Sequence, residues 1–469
     1  MSLPHLLPFF SFLTIAQSLS QPTILILGGG ASGTYAAHTL LSQNYTTLLL
    51  EPTPQLGGHV NTFIPPSPNL PIDYGVQSYM PYGPALNFYK SLDIKIAGPY
   101  SPRRTPAFTI DLSTGKNLSS YIGPTAQETT AALQKWLALI EKWEGQFNPG
   151  FWSFWPGAQV PSDLLLSFET LAAREGIEAA APRMAAISGL GVGGLGKSLV
   201  LDVVRNFGSP VTRAVLEGSL FVPEGSNSAL YDRATSVLGE SVRLETRVVL
   251  ARRDAEKEIR VVIEDKYGER YLVRPKRILV AVQPSLGNLE VLGLDEKEKK
   301  VLGSLEPIYS FVGVVTASCI PENVSLAFVD PAAVPRNHVR VRDSEWTLRF
   351  DATGLVGGGY FRVLFSTTKT LTDEEVKAKV QGELERVRAA GTLGETGLCK
   401  VDWKAFSAHR SVGWGGISAE MVKKGWVEKL YGLQGYRGTW YTGGVWTGIY
   451  SSNVWAMTEE VVKRMVVGL

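Results

Sequence analysis

The sequence predicts an α/β protein in which one parallel sheet, assembled from stretches far apart in the chain, is interleaved with a second, α+β domain. Three observations predict it. Residues 23–51 read strand, glycines, helix, strand, acid. Residues 242–273 read as several short strands separated by turns. Near the C-terminus, Gly438-Thr439-Trp440-Tyr441-Thr442-Gly443-Gly444-Val445 is a strand ending in glycines, followed by a helix start at Ser451-Ser452-Asn453.

The first element is Thr23-Ile24-Leu25-Ile26-Leu27, a short apolar run with β-branched residues, as expected of a parallel strand covered on both faces. Gly28-Gly29-Gly30-Ala31-Ser32-Gly33 comes next and fits G-x-G-x-x-G, with Ser32 inside it. A helix is expected from about Ser32 to Gln43, then a strand from Thr46 to Leu50 ending at Glu51. Gly28 permits the tight turn, Gly30 admits a pyrophosphate to the backbone, and Gly33 lets helix and strand pack closely. The helix N-terminus offers free N–H groups to phosphate. Glu51 accepts from ribose hydroxyls and would repel a 2′-phosphate, which argues against NADP. In this context the motif predicts a Rossmann-type dinucleotide site.

The segment after Glu51 separates FAD from NAD. Glu51, Gly57, Gly58 and Thr62 fall at the spacing E-x5-G-G-x-x-x-[ST]. This resembles the signature of the amine oxidase and related flavoprotein superfamily, where the paired glycines approach the FAD pyrophosphate. The position usually held by Arg is His59 here. Ile72-Asp73-Tyr74-Gly75 resembles the family's short strand leading towards the flavin. Val242 to Val248 reads as a strand, and Val248 takes the place where the resemblance implies a backbone contact to adenine. The segments 248–253, 259–264 and 270–273 read as a three-strand meander, and Ile278 to Val282 as a strand re-entering the nucleotide sheet. The resemblance further implies that the final strand and the helix at Asn453 face the flavin, with Gly444 where the family carries an acid. From residue 23 onward the chain resembles fungal FAD-dependent oxidoreductases of the beta-cyclopiazonate dehydrogenase type and the bacterial polyenoic fatty acid isomerase. That implies a noncovalent FAD and a small, largely apolar substrate. The fold class is then a Rossmann-type FAD-binding domain, glutathione reductase-like with its β-meander, plus an interleaved α+β substrate domain. The expected division is 1–20 leader; 21–79, 215–290 and 425–469 FAD-binding domain; 80–214 and 291–424 substrate domain.

Residues 80–215 read as mostly helical. Leu133, Trp136, Leu137, Ile140, Trp143 and Phe147 share a helical face and read as core. The aromatic run Phe151 to Trp155 suits either a cavity wall or buried packing. Gly191 to Ser198 satisfies the P-loop pattern, but Arg183 to Ile187 makes a poor preceding strand and no partner acid on a strand is evident, so a glycine-rich loop is the reading. Between 307 and 410, Phe311–Ala317, Trp346–Phe350 and Tyr360–Phe365 read as strands, and Thr372 opens a helix with acids in its first turn.

His409 resembles a family histidine near the flavin and is a candidate general base, weighed against a structural role. Tyr309 is a second catalytic candidate. Trp440 and Trp446 are candidate substrate contacts, each weighed against plain packing. The reaction expected is hydride removal from a C–H or C–N carbon to the flavin, with O2 as acceptor. The alternatives are a double-bond isomerase of polyunsaturated acids, gripping a carboxylate with Arg342, Arg349 or Arg362, and a flavin-fold binding protein without turnover.

Composition sets the outer bounds. The 469 residues are 44% hydrophobic and 19% charged, enough for a large core, with a net charge of +2 that gives no support to nucleic-acid binding. Leu6 to Ala16 is too short to span a bilayer and matches the core of a secretory signal peptide, although a positive n-region is missing. Sequons at Asn44, Asn117 and Asn323 fit that secretory route and are candidate glycosylation sites. Cys319 and Cys399 are able to pair in an oxidising compartment, but spacing alone does not match them. No metal-ligand spacing occurs.

Overall fold

The computed structural model describes residues 17–18, 21–100, 105–189, 194–253, 258–340, 346–354, 358–394 and 397–469. The apolar leader core, Arg342 and Gly191 to Gly193 lie outside the described residues.

The nucleotide sheet has five parallel strands in the order Thr439–Tyr441, Arg277–Val280, Ile24–Leu27, Thr47–Leu50 and Val242–Arg243. Its central strands are buried along their length, which explains their unbroken apolar runs. The helix Ala31–Ser42 makes the crossover from Ile24–Leu27 to Thr47–Leu50, and the C-terminal helix Ser451–Met465 packs against it. The expected single strand from Val242 to Val248 is in fact two. Glu245, at φ 51°, breaks the chain, so that Val242–Arg243 completes the parallel sheet and Arg247–Arg252 opens the meander. Arg260–Glu264 and Arg270–Val273 complete that antiparallel meander, and Gln17–Ser18 pair in parallel at its edge. A buried Arg253–Glu298 ion pair at 2.8 Å, with Thr439 and Tyr441 hydrogen-bonded to it, joins the meander's first strand to the nucleotide sheet.

The second sheet has six strands in the order Val401–Gly413, Glu306–Ala317, Tyr360–Thr367, Trp346–Ala352, Ser325–Val329 and Ala107–Asp111. All pairs are antiparallel except the last. Helix Asp373–Ala389, opened by a capping box at Thr372, covers one face and buries Val376, Val380 and Leu384 against Phe311, Phe361 and Phe365. The disulfide Cys319–Cys399 joins the loops at one end of this sheet, with Cα atoms 5.2 Å apart.

Residues 80–215 are helical in large part, but two strands interrupt them. Ala107–Asp111 closes the far edge of the second sheet, and Ile96–Pro99 pairs with Phe221–Pro223. Leu133, Trp136 and Ile140 are core on helix Ala126–Ile140. The aromatic run is core as well: Phe151 packs on Phe147, Phe154, Trp414 and Tyr431. Before the P-loop-like segment stands a helix, Ala181–Ser188, where a P-loop requires a strand.

Candidate functional site

A cavity of about 860 Å³ lies between the nucleotide sheet and the uncovered face of the second sheet. Its nucleotide wall is mostly backbone. Gly28, Gly30, Ser32, Glu51, Gly57, Gly58, His59 and Gly444 all line it. A Cβ on Gly30 would meet nothing nearer than Gly58 Cα at 3.7 Å, so the space in front of it is open. Gly33 does the opposite job: its added Cβ would sit 1.8 Å from the Gly28 carbonyl oxygen. It is a packing residue under the wall. Glu51 is buried, and its Oε2 accepts from the Gly29 amide at 2.7 Å while Oε1 accepts from Thr53 at 3.0 Å. A carboxylate has about four acceptor positions, so capacity for a ribose hydroxyl remains.

The wall fits a dinucleotide on two counts. The helices Ala31–Ser42 and Ser451–Met465 both begin at the cavity without a side-chain cap, leaving free amide donors. The buried Tyr450 hydroxyl and Asn206 Oδ1, both on cavity-lining residues, have no hydrogen-bond partner among the described residues. Gly28, Gly30, Gly57 and Gly58 would hold the phosphates, Glu51 the ribose, and the turn at Gly444 the flavin end.

That turn is held by Arg205, which no motif in the chain singles out. Its Nη1 donates to the Gly444 oxygen at 2.6 Å and to the Thr447 oxygen at 3.0 Å, and its Nη2 pairs with Asp202 at 2.7 Å. A lone arginine in a helix carries no signature, and its targets lie about 240 residues away along the chain.

The substrate wall is set by strand parity. Along Glu306–Ala317, Ile308, Ser310 and Val312 line the cavity. Tyr309 and Phe311 therefore point to the other face, where they pack with the helix-covered core. Tyr309 is thus removed from the chemistry. His409 stays. It lies across from Ser310 on the edge strand, lines the cavity and is 9% exposed. Its Nε2 is 2.8 Å from Asn61 Oδ1. An amide oxygen only accepts, so Nε2 carries the hydrogen and Nδ1 keeps its lone pair. The ring stacks on His59, with centroids 4.1 Å apart and planes 13° apart.

Neither ring favours a charge. Burial holds His409 well below the usual histidine range, and the neighbouring His59 lowers it further. The depth of the site brings His59 down to about 4. The His59 surface is open, but it opens into the cavity.

The other expected site residues lie off the cavity wall. Thr62 donates to Asp73 Oδ1 at 2.6 Å and contacts Ser228, so it braces the short strand Ile72–Asp73. Val248 stands in the meander, beyond the wall. On the C-terminal helix, Ser451 and Val454 face the cavity; Asn453 is rotated away, its amide 3.3 Å from Asn148. Trp446 is 1% exposed and stacks on Tyr441, and Trp440 packs over Gly435. Both tryptophans are packing residues. Asn44, Asn117 and Asn323 are all exposed.

Comparison with known proteins agrees with this geometry. Residues 26–92 match the family described as NAD(P)-binding Rossmann-like domain. The FAD-dependent oxidoreductase pigF of Monascus ruber is 29% identical over 94% of this chain and 90% of its own length. The beta-cyclopiazonate dehydrogenase of Aspergillus oryzae is 29% identical over 96% of this chain and 94% of its own. Among solved structures, the CLA-producing fatty acid isomerase from P. acnes superposes with a TM-score of 0.72 at 17% identity, covering 96% of this chain and all of that one. A putrescine oxidase superposes with a TM-score of 0.59 at 15% identity, covering 96% of this chain and 99% of that one. The chain therefore has the amine oxidase-like fold of FAD-dependent enzymes and is similar, over nearly its whole length, to fungal FAD-dependent oxidoreductases.

Proposed function

We propose that this chain is an FAD-dependent oxidoreductase that removes a hydride from a small, largely apolar organic substrate, with O2 as the electron acceptor. One observation carries the reading: a cavity is walled on one side by glycine backbone and uncapped helix ends, and on the other by a sheet face that presents His409, held neutral by burial, together with Ile308, Val312 and Leu364. FAD, when bound, supplies the hydride acceptor. The protein supplies the rest. Asn61 fixes the His409 tautomer, and the uncharged ring is available to take a proton from substrate at Nδ1. Ile308, Val312 and Leu364 exclude water beside it. Arg205 holds the turn that closes the nucleotide end.

Entry to the secretory pathway is part of the proposal. The leader-like run, the exposed sequons and the Cys319–Cys399 disulfide support it, since disulfides persist in oxidising compartments. There O2 is the accessible acceptor, because free oxidised nicotinamide (NAD+ or NADP+), the alternative oxidant for a reduced flavin, is scarce outside the cytosol. A second reading, double-bond isomerisation of an unsaturated acid, is favoured by the fold likeness to the P. acnes isomerase.

The test is the anaerobic visible spectrum of purified protein with a panel of amines, indoles and polyunsaturated acids. Bleaching by one compound, reversed by air, is the expected result. A protein that cannot be loaded with FAD overturns the proposal. Bleaching that air does not reverse removes O2 from it, and turnover without net oxidation selects the isomerase.

A further inference from the structure

Among the described residues the cavity wall carries Arg183, Arg205, Arg349 and Arg362, and they differ in what neutralises them. Arg183 is exposed to solvent. Arg205 is paired with Asp202 and committed to two carbonyls. Arg349 is paired with Asp351 through Nε at 2.7 Å. Arg362 differs from all three. It lies deep in the protein, on the strand Tyr360–Thr367, with its open surface facing the cavity.

The only hydrogen bond of its guanidinium among the described residues runs from Nε to the Asp73 backbone oxygen at 2.7 Å. The Asp73 carboxylate itself is turned elsewhere, accepting from Thr62 at 2.6 Å and from the Asn227 amide at 3.2 Å. Asp351 is opposite Arg362 in the strand register but is taken by Arg349. No described carboxylate comes within the 4.0 Å of an ion pair. Arginine does not shed its charge by deprotonation, so a full cation is held at a cavity wall with its two terminal nitrogens unpaired among the described residues, Asp351 and Asp73 acting on it only from beyond ion-pair distance. A charge so placed is costly unless a partner arrives.

The surroundings say what kind of partner. Leu364 lies two residues on, along the same face of the strand, and Ile308 and Val312 lie on the neighbouring strand, so apolar surface adjoins the cation. Tyr74 and Tyr100 also line the cavity. We propose that Arg362 determines substrate specificity, and that the substrate is an apolar molecule bearing a carboxylate, which the two terminal nitrogens grip as a fork. A carboxylate matches the planar guanidinium with two parallel hydrogen bonds, which a neutral ester cannot do equally well. The assignment rests on reading the cavity as a substrate chamber.

The experiment is calorimetric titration of the FAD-loaded protein with decanoate and with methyl decanoate, for wild type, Arg362→Gln and Arg362→Lys. Flavin content is measured separately from visible absorbance. Wild type is expected to prefer the acid by about 10- to 100-fold, the scale of a charge-assisted fork. Arg362→Gln is expected to lose the preference with flavin content unchanged, and Arg362→Lys to keep part of it. Equal binding of acid and ester by wild type, or no binding of decanoate, overturns the proposal. So does a preference retained in Arg362→Gln, or a loss of flavin without loss of preference. If Arg362→Gln does not fold, wild type and Arg362→Lys still decide. A chain that takes up no flavin sinks the oxidoreductase reading, while the acid-to-ester ratio still tests Arg362.

Discussion

The two walls of the cavity are built on different principles. The nucleotide wall is made of backbone: glycines that leave space and helix ends that leave amides free. The substrate wall is made of side chains on a sheet, chosen by which face each residue takes. Backbone recognition demands particular residue types at fixed local spacing, so it leaves a trace in the sequence. Side-chain recognition demands only register, and register is a property of strands already paired.

The largest expected effect tests the first wall. Gly33→Ala forces a Cβ into the Gly28 carbonyl oxygen and should cost about 3 kcal/mol or more, with loss of bound flavin, read by thermal denaturation and visible absorbance. Gly30→Ala, where the added atom has room, should leave the melting temperature nearly unchanged and weaken flavin retention alone. If the two variants behave alike, the distinction between packing glycine and ligand-facing glycine fails.

Arg205→Met joins the two regions in one experiment. It strands Asp202 and two carbonyls in a buried setting, for a loss of about 3–5 kcal/mol in denaturant unfolding. On the second wall, His409→Gln should reduce turnover by about 100-fold if the imidazole transfers a proton. Tyr309→Phe, one strand away but on the opposite face, should change turnover less than about twofold, since it keeps the packing and lies off the cavity. Steady-state kinetics on the substrate found by the spectral screen compare them.

A last effect is with pH. His59 and His409 titrate lower in the folded state than the usual 6.5, with His59 at about 4. Between those values the unfolded chain binds protons that the native state does not, so stability rises with pH across that window and falls as the solution is acidified from about 6.5 to 4. The double substitution His59→Asn with His409→Asn should flatten that part of the melting-temperature profile. An unchanged profile would show that the stacked rings are not held neutral.

The legible part of the molecule divides the same way. Gly28 to Gly33, Glu51 and the Gly57–Gly58 pair could be placed from the chain alone, because each answers a local steric or phosphate-binding demand. His409 was reachable only through family resemblance. Tyr309, Trp440 and Trp446 are recognisable by type, and Asn453 by its place at a helix start, while the direction in which each side chain points is not legible. The roles of Arg205 and Asn61, and the lack of an ion pair to Arg362 among the described residues, carry no sequence signal.

The sequence by itself determined the parallel nucleotide sheet, its glycine wall, the meander and the existence of a second α+β region, because periodicity and glycine spacing act over a few residues. Tertiary structure alone decided that Ala107–Asp111 closes the second sheet, that Cys319 meets Cys399, that Arg205 locks the turn at Gly444 and that Arg362 faces the cavity with no ion pair among the described residues. Each of those joins residues about 80 to 240 positions apart along the chain, or depends on strand parity fixed by such joins. No local pattern specifies them, since the partners come together only when the separate layers have packed.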